Sequence, residues 1–173
     1  MSADVPEMLD AWRMVTARRG VSGRVPLSAL PRLRDALLDD EGDVAFALDF
    51  DRDPLQVPYV ELRIRAALPL QCQRTLQRFL HPVEMVQRLG LVREGEDGED
   101  AEAALPPGYE ALPIGEDGML RPLDLVEDEL ILAIPVVPVQ PGSEAVERDW
   151  PVQADEEVRA NPFGALAALK KPS

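Results

Sequence analysis

The sequence predicts an α+β domain: an antiparallel sheet built on a central β-hairpin, with N-terminal helices before it and one capped helix after an acidic loop. Three observations carry that reading. Apolar residues recur at helical spacing near the N-terminus. They alternate with period 2 between residues 44 and 85. Helical spacing then returns after Asp124.

The first helix is expected over residues 6–19, where Met8, Trp12 and Val15 share a face. Glu7 near its start and Arg18 and Arg19 near its end suit the helix dipole, and Gly20 is a natural stop. A second helix is expected from Ser28 as N-cap to Leu38, with Pro31 in the first turn and Leu30, Leu33 and Leu37 as its stripe. Val44, Phe46, Leu48 and Phe50 then alternate with Ala45, Ala47, Asp49 and Asp51, the pattern of a half-buried strand that turns at Asp51-Arg52-Asp53-Pro54. The next strand runs from Tyr59 to Cys72. Leu62, Ile64, Ala66, Leu68 and Leu70 lie on one side of it and Glu61, Arg63, Arg65 and Gln71 on the other. Pro69 marks its far end as an edge or a bulge. Cys72-Gln73-Arg74-Thr75 makes a tight connection, and Phe79, His81, Val83 and Met85 fall in phase on a returning antiparallel strand.

Residues 94–102, EGEDGEDAE, hold nothing large to bury and read as a mobile acidic loop extending to about residue 104. Residues 105–118 are rich in Pro and Gly and are expected to be ordered only by packing. Asp124 opens a helix through a capping box with Glu127; Val126, Leu130, Ala133 and Ile134 form its buried stripe, and Pro135 and Pro138 end it. One domain over 1–139, a linker over 140–160 and a docking segment over 161–173 complete the organisation.

Composition narrows function. The 173 residues carry a net charge of −14. Acids and bases balance over residues 1–93, so the whole excess falls on residues 94–173. That sum argues against a protein that simply coats nucleic acid. One cysteine, Cys72, and one histidine, His81, exclude an intrachain disulfide, a Cys-based zinc site and paired-histidine chemistry. No apolar run approaches the ~20 residues of a membrane span. Asp4, Glu7 and Asp10 precede any apolar stretch, so no signal peptide is read and the expected compartment is the cytoplasm.

Five features invite a chemical reading. Glu127, Asp128 and Glu129 could hold Mg²⁺, but successive helix positions diverge, and a solvated helix N-terminus accounts for them better. His81 lies in the apolar phase of its strand, as a packed, hydrogen-bonded histidine would. Cys72 ends an apolar alternation as a small buried hydrophobe, with a reactive thiolate beside Arg74 and Arg78 as the alternative. Arg63, Arg65, Arg74 and Arg78 form a candidate RNA-contacting patch, set against a solvated face balanced by Glu61 and Glu84. The closing segment is too short for a stable free helix. Asn161, Pro162, Phe163, Leu166, Leu169, Lys170 and Lys171 are candidate docking residues, on the chain's own domain or on a partner.

Four stretches also resemble one family: LQCQRT at the hairpin, ALPPGYEALPIGEDGML, LDLVEDELILAIPVVPV, and the closing NPFGALAALKK. Together they resemble the bacterial large ribosomal RNA subunit accumulation proteins, the YceD family, over about residues 60–173. The resemblance implies a role in the synthesis, processing or stability of large-subunit ribosomal RNA, with no enzymatic activity to carry over. The family commonly shows Cys-x-x-Cys at the hairpin turn; here Thr75 stands in the second place, which removes the basis for a metal or redox role.

Three functions follow, in order of support. The first is a non-enzymatic assembly factor whose acidic part engages a basic ribosomal protein or an RNA-processing factor. The second is direct ribosomal RNA binding through the four arginines. The third is a metal-dependent hydrolase on the acidic helix. No cofactor, metal or membrane partner is expected.

Overall fold

A strand whose alternate residues are apolar can bury one face and leave the other wet, and three long strands of this kind set the centre of the molecule. The computed structural model of the chain describes residues 5–95 and 103–143. In chain order the elements are β1 (Leu9–Asp10), α1 (Ala11–Ala17), β2 (Gly20–Pro26), α2 (Pro31–Arg34), β3 (Asp43–Arg52), β4 (Pro58–Gln71), β5 (Arg78–Arg93), β6 (Glu110–Ile114), β7 (Met119–Leu120) and α3 (Pro122–Ala133). The main sheet has the order β2-β3-β4-β5-β6, and β1 pairs with β7 in a separate ladder. The β4–β5 hairpin runs without a bulge from Tyr59 opposite Gly90 to Gln71 opposite Arg78. Pro69 stays in register opposite Leu80; β3 reaches only as far as Ala66, so this end of β4 is an edge, as expected.

The inner face carries the core. Val44, Leu48, Val60, Leu62 and Leu68 are fully buried, and Leu125, Val126 and Leu130 of α3 join them. Each such side chain contributes about 1.5–3 kcal/mol on burial. Leu27, Leu30 and Leu33 close the core around the short α2.

Several expected elements differ. The first helix is confined to α1 because Leu9 and Asp10 pair with Leu120 and Met119, and the Asp10 carboxylate then accepts the Arg13 N–H at 2.9 Å as the cap. Its end is the left-handed Arg18, not Gly20. The second helix does not run from Ser28 to Leu38. A 3-10 turn spans Leu27–Ala29, and only Pro31–Arg34 is α-helical. Pro31 has no N–H to bond back across that junction. β2 escapes a pattern reading because Gly20, Gly23 and Pro26 are poor strand formers. The segment 105–118 contains β6, which lies parallel to β5, so the sheet is mixed. α3 starts at Pro122, with Arg121 as N-cap and no side-chain cap; the expected capping box is absent because Glu127 turns to α2.

Candidate interface on the open sheet face

The alternation that buries Leu62 and Ile64 turns Arg63 and Arg65 outward. Register then fixes their neighbours. One outward row reads Arg24–Ala45–Arg65–Glu84 across β2 to β5, the next Ser22–Ala47–Arg63–Val86, and the next Gly20–Asp49–Glu61–Arg88. Ala45 and Ala47 are too small to fill their places. They floor a shallow trough whose rim includes Arg63, Arg65, Glu84 and Val86. At one end the face is closed by the segment before β6. Leu105 packs so near Gly90 that a Cβ there would lie 2.5 Å from it, and Tyr109 meets Tyr59 edge-on while donating its hydroxyl to Asp53 at 3.2 Å.

The four candidate arginines do not form one patch. Arg63 and Arg65 stand together in adjacent rows. Arg78 shares their face but lies opposite Gln71, six residues further along β4 than Arg65, or about 20 Å at the usual rise. Arg74 sits in the connection and donates to the Ser143 carbonyl at 3.0 Å. Arg24, on the unrecognised β2, takes their place beside the trough. Only Val21 and Val25 flanking Ser22 and Arg24 hint at alternation there, and Gly20, Gly23 and Pro26 mask it.

Acids accompany the arginines. Arg65 pairs with Glu84 at 2.6 Å, Arg63 with Asp49 and with Glu61 at 3.3 Å, Arg88 with Glu61 at 3.1 Å, and Arg78 with Asp39 at 2.7 Å. Arg78 in turn holds the Asp39 carboxyl below its usual range through its hydrogen bonds. Exposed pairs of this kind are screened by solvent and contribute little to stability, so they neutralise the face more than they brace it.

The acidic helix is not a solvated face. Glu127 is 3% exposed, and its carboxylate accepts the N–H groups of Arg32 and Leu33 at 2.6 and 3.0 Å and the Arg32 Nε at 2.9 Å. Arg32 also reaches Asp128 at 2.6 Å. Both oxygens of Glu127 are thus occupied in holding α2, and the described residues contain no group of acids, histidines and cysteines spaced to hold a metal ion.

Glu129 is 7% exposed. Burial first, then the charges of Glu110 and Asp128, hold its pKa above the ordinary glutamate value. The folded chain therefore keeps this proton more tightly than the unfolded chain. Its ionised form costs stability above the folded value, and the cost is absent below the unfolded value of about 4.3. Glu129→Gln is expected to raise Tm at pH 7 by about 1–3 °C, with the gain fading toward pH 4. Thermal melts at both pH values check this; a gain that persists at pH 4 contradicts it.

Cys72 is buried at the head of the hairpin connection. Its Sγ accepts the Gln140 N–H at 3.3 Å and the Thr75 N–H at 3.5 Å. The Gln140 bond and those from Thr75 pull the thiol down to about 6 against the opposing effect of burial. Gln73 donates its N–H to the Pro138 carbonyl at 2.9 Å, so the chain after α3 is stitched to the connection. His81 faces inward opposite Leu68 and is half-buried, but its imidazole makes no hydrogen bond among the described residues, contrary to expectation. The docking candidates Asn161, Pro162, Phe163, Leu166, Leu169, Lys170 and Lys171, the linker beyond Ser143 and most of the acidic loop lie outside the described residues.

A profile of the family described as large ribosomal RNA subunit accumulation protein YceD matches residues 60–170. The chain belongs to the YceD family. The match opens at the first core residue of β4 and takes in the hairpin, β6 and α3. The large ribosomal RNA subunit accumulation protein YceD of Haemophilus influenzae is 28% identical over 177 residues, covering 96% of this chain and 97% of that relative. The likeness to that YceD protein therefore extends through β2 and β3 as well. No solved structure matches. Among the described residues no helix is long and apolar enough to cross a membrane.

Proposed function

We propose that the protein is a non-enzymatic factor supporting the accumulation of large-subunit ribosomal RNA, through its synthesis, processing or stability, and that it acts through a basic protein partner. Membership of the YceD family supports the first part. The second rests on one observation: Arg63, Arg65 and Arg78 each face carboxylates on their own surface. With those charges offset and a net charge of −14 concentrated after residue 93, the chain offers a basic protein more than it offers a phosphate backbone. Glu127, the best placed carboxylate for a metal-dependent hydrolase, is engaged with α2.

Direct RNA binding is the second reading. Arg24 favours it, since it stands beside the trough with no ion pair among the described residues. Salt separates the two. Each phosphate contact adds about 0.9 to the slope of log K against log salt. Binding to a large-subunit ribosomal RNA fragment is expected to be weak and to show a slope under about 2. A steeper slope that shrinks in an Arg24→Ala, Arg63→Ala, Arg65→Ala triple variant would instead establish direct contact. Pull-down from growing cells completes the test: a partner retained after RNase treatment supports a protein, and one lost with the RNA opposes it.

A further inference from the structure

β5 is sixteen residues long, but β6 covers only Leu89–Arg93 of it. Among the described residues, its outer edge below Arg88 has no strand partner, and no backbone hydrogen bond from another element reaches it there. The direction of its amides follows from two bonds. Leu38 donates its N–H to the Pro69 carbonyl, so Pro69 points away from β5 and its partner Leu80 must point away from β4. Glu94 donates its N–H to Ile114, on the β6 side, which gives the same phase. In an unbroken ladder Leu80, Pro82, Glu84 and Val86 therefore turn their backbone groups to the free edge, and Arg88 its N–H, its carbonyl facing Glu110 of β6. Pro82 lacks the N–H, which blunts the edge without closing it. Leu80 and Val86 stand on the outer face beside this edge, 51% and 65% exposed.

We infer that the edge of β5 between Leu80 and Arg88 receives an extended basic segment of the protein partner as an added strand. This rests on the basic-partner reading above. Main-chain pairing would supply affinity, and side chains over Leu80 and Val86 would supply register. Charge complementarity selects the occupant. The added strand would lie in line with β6, whose first residue, Glu110, sits opposite Leu89. Glu110, Asp128 and Glu129 interact there, so a cation at that end relieves a local excess of negative charge. A second copy fits worse, since it brings together two chains of charge −14, whereas a basic segment carries the opposite sign.

The test uses the full chain and a short amidated peptide alternating lysine and valine, read by amide-resolved hydrogen exchange. Saturating peptide is expected to slow exchange at Leu80, Glu84, Val86 and Arg88 by about tenfold or more. An analogue N-methylated on alternate residues and one with glutamate for lysine should do neither. Val86→Pro should weaken binding by about tenfold or more with little change in Tm, since that N–H serves no internal ladder. If the variant fails to fold, the N-methylated analogue decides. Peptide bound without protection at those amides overturns the edge site and leaves the basic-partner reading standing. Protection that grows with chain concentration alone assigns the edge to a second copy, and protection present at every dilution assigns it to the chain's own residues; either overturns the proposal. No binding of the basic peptide, with a steep salt slope for ribosomal RNA, removes both readings.

Discussion

Glu127→Ala is expected to lower stability by about 2–4 kcal/mol, because it leaves buried donors without acceptors. The carboxylate takes the N–H groups of Arg32 and Leu33 and the Nε of Arg32. Arg32 is half exposed and can rehydrate its guanidinium, but Leu33 is fully buried and its N–H has no water to turn to. The four residues of α2 cannot hold a helix by propensity, so α2 should loosen with the loss. Glu127→Gln keeps one acceptor oxygen and should fall between. In Tm the alanine variant corresponds to a drop of about 5–15 °C. A variant that melts within about 2 °C of the native chain would show that α2 is held by its leucines alone.

Leu62→Ala and Arg63→Ala test the two faces of one strand. Leu62 is fully buried at the centre of the sheet, and its truncation should cost about 2–5 kcal/mol through lost burial and the cavity left behind. Arg63, the next residue, is half exposed and paired with Asp49 and Glu61, and its truncation should cost under about 1 kcal/mol. Denaturant titration of both variants gives the difference. Comparable losses would mean that the outward face is covered in solution.

The three long strands were legible because each obeys one period and buries one face. Val44 to Phe50 and Leu62 to Leu70 needed only alternation. The returning strand was legible from Phe79 to Met85 by the same phase, while its register, set by the six residues Cys72–Gln77, and its extension to Arg93 were not. What could not be read depends on partners far away in sequence. β2 is specified less by Gly20, Ser22 and Gly23 than by the free edge of β3. β6 includes Pro113 and pairs in parallel, where local turn signals say nothing. Glu127 has the sequence neighbourhood of a helix cap, and only the approach of α2, 95 residues upstream, gives it a different task. The candidate face was half legible for the same reason: Arg63 and Arg65 follow from strand parity, while Arg24 reaches them only through the register of β2 on β3.

The pairing of Leu9 with Leu120 carries a consequence for synthesis. A chain made from its N-terminus exposes Leu9 and Asp10 early, while Met119 and Leu120 emerge only after the whole five-stranded sheet has been produced. The earliest strand of the protein is thus among the last to find its neighbour. Until then α1 has lost its flanking ladder and the Ala11 N–H its acceptor on Gly118. The nascent domain is left with an open seam that translation of β7 closes.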